Sequence, residues 1–153
     1  MAKKILIVDD DPDVILFIAT ILKDHGYKTV DATNGQEGLK MVRSENPDMV
    51  LLDLMMPKKS GISLLTEVKK DERLKKIPVI MVTGVAGETG IDLESFLKRG
   101  TGKGDGDFRI TPEGYIEKPV DPEKLIEIVQ DKIEIRQITS VPDVLEAHFS
   151  SQW

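Results

Sequence analysis

Three carboxylates, a hydroxyl and an ammonium each stand just after a short apolar run of this chain. Residues 5–8 (ILIV) lead into Asp9 and Asp10, and residues 49–52 (MVLL) lead into Asp53. Residues 79–82 (VIMV) lead into Thr83 and Gly84, and Tyr115 with Ile116 leads into Glu117, Lys118 and Pro119. Clustered carboxylates that offer only oxygen suit a hard cation such as Mg2+, which takes a few carboxylates and completes its shell with waters and phosphate oxygens. A lysine and a small hydroxyl residue facing such a cation would neutralise and orient a phosphoryl group. The chemistry implied is phosphoryl transfer, provided that these residues meet.

The first acidic cluster holds two kinds of acid. The heptad that starts at Ile7, IVDDDPD, contains Asp9, Asp10, Asp11 and Asp13. Like charges this close repel one another, so either a cation belongs among them or they are a solvated helix start. Asp11 and Asp13 fit the second reading, with Asp11 as N-cap ahead of Pro12 and both acids favoured by the helix dipole. Taken singly, Asp9, Asp10 and Asp53 read as solvated loop carboxylates, Thr83 as a strand end and Lys118 as a surface lysine. Their common position after apolar runs sets them apart.

These residues meet only if the runs before them lie side by side. The runs are continuous rather than alternating, as in strands buried on both faces of a parallel sheet. A weaker run covers residues 27–30. Between the runs lie helix signals. Val14, Phe17, Ile18, Ile21 and Leu22 form one apolar stripe, with Gly26 placed to end that helix. Asn34 with Glu37 reads as a capping-box variant ahead of Leu39, Met41 and Val42. Leu64, Leu65 and Val68 mark a third helix starting near Gly61. Asp121 and Pro122 open the last one, with Leu125, Ile128, Val129 and Ile133 expected on its inner face. A β-α unit repeated about five times predicts a doubly wound α/β sheet, in which ligands bind beyond the carboxyl ends of the strands.

Composition narrows the class. The chain has 153 residues and a mass of 17.0 kDa, which is one domain by size, and 40% of its residues are hydrophobic. The absence of cysteine excludes a disulfide scaffold, thiolate zinc and a cysteine nucleophile, and fits a reducing cytosol. The apolar run near the N-terminus is too short for a signal peptide, and none reaches membrane-spanning length. A net charge of −6 disfavours direct nucleic-acid binding. These points together predict a cytoplasmic protein without membrane contact. His25 and His148 read as surface residues near helix ends. Two segments break the rhythm: the glycine-rich stretch 100–114 (GTGKGDGDFRITPEG), read as a long loop, and a tail after about residue 136.

At this point the chain resembles the receiver domain of bacterial two-component response regulators. The resemblance rests on Asp9-Asp10 after ILIV, on DLMMPKKSG from Asp53 (D-x-x-M-P-x-x-x-G), on Thr83-Gly84 after VIMV, and on YIEKPV with Tyr115, Lys118 and Pro119. It runs from residue 3 to about residue 134. It implies a flavodoxin-like five-stranded parallel sheet ordered 2-1-3-4-5, with an extended loop before the fifth strand. It further implies a receiver over residues 1–136 with the insertion 100–114, and a tail 137–153 with no separate output domain. The implied activity is a phosphorelay switch rather than an enzyme. Asp53 would take a phosphoryl group from a phosphohistidine of a sensor histidine kinase or phosphotransfer protein. Asp10 and Asp53 would bind Mg2+ with the backbone carbonyl of Met55, and Asp9 through water. Lys118 would pair with the phosphoryl oxygens, Thr83 would hydrogen-bond one of them, and Tyr115 would swing inward as Thr83 moves. Gly84, Met55 and Val85 would line the phosphate pocket, and the Lys118–Pro119 bond would be cis. The output would be a contact with a downstream protein target or a homodimer.

The glycine-rich stretch makes the 83–118 segment longer than is usual in receivers. In the family that region belongs to the output face, so an insertion there is expected to alter or cover the partner surface. Two other readings fit part of the pattern. One is a haloacid-dehalogenase-like phosphatase with Asp9 as nucleophile and Asp11 completing D-x-D, which leaves the segment after Asp53 unexplained. The other is a phosphorylation-independent pseudo-receiver, against which the full set Asp10, Asp53, Thr83 and Lys118 argues. Met55 and Val85 are apolar where the family modulates dephosphorylation, and an apolar lining orders an attacking water poorly. Met55→Asn combined with Val85→Glu is therefore expected to speed loss of the phosphoryl group by about tenfold, measured as decay of the acyl phosphate after the phosphodonor is removed.

Overall fold

Asp11 starts the first helix by accepting a hydrogen bond from the backbone N–H of Asp13 at 2.9 Å, and Pro12 supplies a fixed helical φ. The helix closes as a Schellman turn around Gly26. Tyr27 N–H donates to Leu22 O and Gly26 N–H to Lys23 O, both at 3.0 Å, while Gly26 takes a φ of 87° that a side chain would disfavour. Asn34 caps the second helix by accepting from Glu37 N–H at 2.8 Å. Asn46 ends it in the left-handed conformation, a job that asparagine shares with glycine.

The computed structural model describes residues 2–53, 61–83 and 112–140, with side chains to residue 133. The elements are β1 (Lys4–Val8), α1 (Pro12–Asp24), β2 (Lys28–Ala32), α2 (Gly35–Glu45), β3 (Met49–Asp53), α3 (Gly61–Lys70), β4 (Val79–Thr83), β5 (Gly114–Glu117) and α4 (Pro122–Ser140). The strands pair in parallel in the order β2-β1-β3-β4-β5, the expected doubly wound arrangement.

Alternation along each strand splits the core in two. Leu6, Val8, Val50, Leu52 and Met81 face α2 and α3, meeting Leu39, Val42, Leu64, Leu65 and Val68. Ile5, Ile7, Met49, Leu51, Ile80 and Val82 face α1 and α4, meeting Ile18, Leu22, Leu125 and Val129. Each fully buried aliphatic side chain contributes about 1.5–3 kcal/mol, so the two layers fix the sheet between them. Every residue of β3 and β4 is buried, whereas only Ala32 of β2 and Ile116 of β5 are.

Three details differ from the sequence reading. Gly114 opens β5 instead of closing the glycine-rich stretch, because the strand runs so close to α4 that a Cβ there would lie 2.7 Å from Ile128 Cδ1. The buried face of α4 includes Ile126, while Ile128 is only partly covered. The helix itself continues to Ser140, past the position where the sequence suggested a tail. The stretch 100–111, the tail beyond 140, and Met55, Gly84, Val85 and His148 lie outside the described residues.

Gly38 of α2 marks a close approach of three elements, since a Cβ there would stand 3.1 Å from Leu64 Cδ2 and from both methyls of Val8. Gly38→Ala is expected to be near neutral, a helix-propensity gain of about 1 kcal/mol offsetting the squeeze. Gly38→Val is expected to lose about 2 kcal/mol by overpacking, read as a lower urea midpoint with an unchanged slope.

Candidate functional site

The parallel register decides which strand ends become neighbours. Val8 pairs with Leu52, Asp53 with Val82, and Thr83 with Glu117, so residues 9, 53, 83 and 118 emerge along one edge of the sheet. Among the described residues, the buried polar or charged ones are Asp9, Asp53 and Thr83, at 2%, 6% and 2% exposure. All three lie on this edge. A buried carboxylate persists only with compensating charge or hydrogen bonds, and the structure supplies both. Asp9 Oδ1 accepts from Asp11 N–H at 2.9 Å, and its Oδ2 lies 3.1 Å from Lys118 Nζ. The same ammonium stands 3.8 Å from Asp53 Oδ1. Lys118 is placed by its own backbone, whose N–H donates to Thr83 O at 2.9 Å, and its peptide bond to Pro119 is cis.

Asp10 is exposed and completes the acidic group, for one carboxylate oxygen from each of Asp9, Asp10 and Asp53 falls within 4.8 Å of the others. At about 4 Å two unit charges interact by about 4 kcal/mol at an effective dielectric constant near 20. Among the described residues, one ammonium faces these three carboxylates. The donor set is all oxygen, partly buried and open to solvent through Asp10, and so fits a hard divalent cation. For Lys118, burial disfavours the ammonium, but Asp53, then Asp9 and Asp10, outweigh it and hold its pKa above the ordinary lysine value.

Asp9, Asp10, Asp53, Thr83 and Lys118 are thus brought to one place. Tyr115 sits three residues before Lys118, opposite Met81 on β5, and is 40% exposed. Asp11 is committed to the helix start, where its side chain accepts from Asp13 N–H. Sequence reasoning passed over two acids, Asp48 and Glu113, that stand directly before β3 and β5. Each binds the backbone N–H at the start of the neighbouring strand, Asp48 Oδ2 that of Lys4 at 2.8 Å and Glu113 Oε1 that of Val79 at 2.7 Å. The available signal was an acid immediately ahead of a strand.

A family model for the response regulator receiver domain matches residues 5–101. The chain belongs to that family. PilH of Pseudomonas aeruginosa is 35% identical over 126 residues, covering 82% of this chain and 93% of PilH. The polar-differentiation response regulator DivK of Brucella ovis is 31% identical over 130 residues, covering 85% and 95%. The structure of a CheY-like receiver domain protein from Methanospirillum hungatei superposes with a TM-score of 0.72 at 30% identity, covering 90% of this chain and 98% of that one.

The receiver is accordingly a phosphoacceptor switch of two-component signalling, and nothing found favours the phosphatase reading. Receivers act between a kinase or phosphotransfer partner and a downstream target, and they bind Mg2+ through acidic residues such as those grouped here. No helix among the described residues is long and apolar enough to cross a membrane.

The raised pKa of Lys118 has a measurable consequence. Its ion pairs stabilise the fold fully below the unfolded lysine value of 10.5 and lose that effect as pH rises through the higher folded value. Without divalent cations, Lys118→Met is expected to be less stable than the parent by about 1–3 kcal/mol at pH 7. The difference should hold up to the ordinary lysine value and shrink above it, measured by urea unfolding of both proteins across that range.

Proposed function

We propose that Asp53 is the phosphoacceptor of this receiver and that Asp9, Asp10, Thr83, Tyr115 and Lys118 carry out its response. The observation that supports this most directly is the single ammonium shared between two buried carboxylates, one of them at the end of the central strand β3. A carboxylate oxygen of Asp53 attacks the phosphorus of a phosphohistidine. The P–O bond forms as the P–N bond breaks, and the electron pair leaves on the imidazole nitrogen of the partner. The product is an aspartyl phosphate.

Asp10 and Asp53 would hold Mg2+ with the backbone carbonyl of Met55, and Asp9 through water. When bound, the ion neutralises charge on the transferred phosphoryl group. Lys118 faces Asp53 already and supplies a second positive charge to the new oxygens. Phosphorylation adds about 1.5 to 2 negative charges, so the ammonium that now lies nearest Asp9 is drawn toward position 53. The Thr83 hydroxyl donates to a phosphoryl oxygen. Because Thr83 O holds the backbone N–H of Lys118, the two residues move as a pair at the junction of β4 and β5. Tyr115, half exposed on β5, then takes the inward of two positions. The signal is a population shift between two arrangements, read by a downstream protein.

The test is Mg2+-dependent labelling by acetyl phosphate, followed by mapping of the acyl phosphate. Label is expected on Asp53 and lost entirely in Asp53→Asn. Lys118→Ala is expected to keep slow labelling, reduced by about tenfold or more, without the change around Tyr115 followed by NMR. Label on Asp9 in the native chain would overturn the assignment.

A further inference from the structure

The connection from residue 84 to 113 separates β4 from β5, and a tight turn sets strand register only where the connection is short. β5 itself gives weak instructions, being four residues long with Ile116 as its one buried side chain. A slip of two residues would preserve which side chains face inward, yet it would carry Lys118 about 6.6 Å along the strand. Something other than the apolar pattern must fix this strand, because Lys118 is its exit.

The start of β5 holds such a device. Glu113 N–H donates to Val79 O at 2.8 Å, and Glu113 Oε1 accepts from Val79 N–H at 2.7 Å. One residue thus satisfies both backbone groups of the first residue of β4. The carboxylate is held in turn by Lys69 from the end of α3, whose Nζ lies 2.8 Å from Oε1. The Lys69 side chain is only 10% exposed, and its ammonium also donates to Ile77 O at 2.8 Å and Lys75 O at 3.1 Å. It therefore ties together α3, the turn before β4 and the residue before β5. The next position is Gly114, where a Cβ would press on Ile128 at 2.7 Å and on Ile80 at 3.2 Å. A one-residue slip would drive Glu113 or Tyr115 into that slot.

We infer that Glu113 and Lys69 are positioning residues that lock β5 in the register placing Lys118 beside Asp53. This rests on the roles assigned above to Lys118 and Asp53. The lock sits at the opposite end of the strands from the phosphoryl site and acts through five residues of backbone, so it makes the site's geometry independent of whatever the 84–111 connection does.

Two readouts test it on the full chain. The first is hydrogen exchange at the Lys118 amide, whose bond to Thr83 O exists only in the native register. Glu113→Ala is expected to speed that exchange by at least about tenfold while amides of β1 and β3 keep their protection. The second is the rate of Mg2+-dependent labelling by acetyl phosphate. Glu113→Ala should slow it by between about tenfold and a hundredfold, the loss expected for a group displaced by about 1 Å. In a Lys118→Ala background the same change should slow labelling by less than about twofold, since residues acting through one another are non-additive. Glu113→Gln, which keeps an acceptor for Val79 N–H, should restore both readouts to within about threefold. If Glu113→Ala does not fold, Lys69→Met carries the same two measurements, with the same direction expected.

Unchanged Lys118 exchange in these variants, or equal slowing with and without Lys118, would overturn the inference. Label that persists in Asp53→Asn would sink the site assignment instead, and the exchange measurement would still decide the register.

Discussion

Two carboxylates are buried at the carboxyl edge of this sheet, and one lysine stands between them. An isolated buried carboxylate costs several kcal/mol, and the ammonium of Lys118 and the backbone donor from Asp11 offset part of that cost for Asp9 and Asp53. Among the described residues three acids face one cation, and the third acid, Asp10, opens to solvent. On the proposed function, a divalent cation held by these acids would offset the charge of a transferred phosphoryl group. The remainder of the fold can be understood as the apparatus that keeps these four side chains together. They arrive from positions 9, 10, 53 and 118, and no local sequence could hold them.

The sheet does this because its strands are parallel and its middle is rigid. β1, β3 and β4 are clamped between α2 with α3 on one face and α1 with α4 on the other, which holds the exits of β1 and β3, where the acids stand, in place. β5 is different. It contributes one buried side chain to the core yet delivers the cation that, among the described residues, faces both buried acids. Its attachment depends on contacts at both ends, the backbone of Lys118 on Thr83 at one and the carboxylate of Glu113 on Val79 at the other. A strongly packed scaffold and a lightly packed strand with defined end contacts meet different needs, immobility for the acids and adjustability for the lysine.

What the sequence revealed follows the same division. The central strands were legible because both of their faces are buried, which writes a continuous apolar run. The edges β2 and β5 were faint because solvent takes one face or one side. Helix starts at Asp11 and Asn34 were legible because capping needs particular side chains at particular offsets, and both make the expected bonds. The cluster of Asp9, Asp10, Asp53, Thr83 and Lys118 was legible through its common position after strands. Gly114 was misread because five glycines between residues 100 and 114 look alike in sequence, and only the packing of Ile128 distinguishes the one that starts a strand. The helix end at Ser140 does carry a signal, Pro142 two residues on, and the tail was started too early near residue 136, where the apolar stripe after Ile133 gives out. Glu113 and Lys69 escaped for a related reason. Their meaning depends on a contact across 44 positions, and acids beside lysines are common on any surface.

The distribution of packing also explains how a charge can act as a signal in so small a domain. A phosphoryl group on Asp53 would alter the electrostatic balance most strongly at the nearby ammonium of Lys118, which leaves the sheet from a lightly packed edge strand. The acids themselves cannot respond by moving, because β1 and β3 are buried along nearly their whole length. The adjustment must therefore fall on Lys118, on Thr83, to which its backbone is bonded, and on the exposed Tyr115 three residues earlier. Adjustment without loss of register requires an anchor at the far end of β5 that does not share the charge of the site. Glu113 and Lys69 meet that requirement, since their ion pair lies at the opposite edge of the sheet and closes on itself. In the proposed response the strand would pivot at its exit while held at its start, so that a change of charge becomes a change of shape rather than local unfolding.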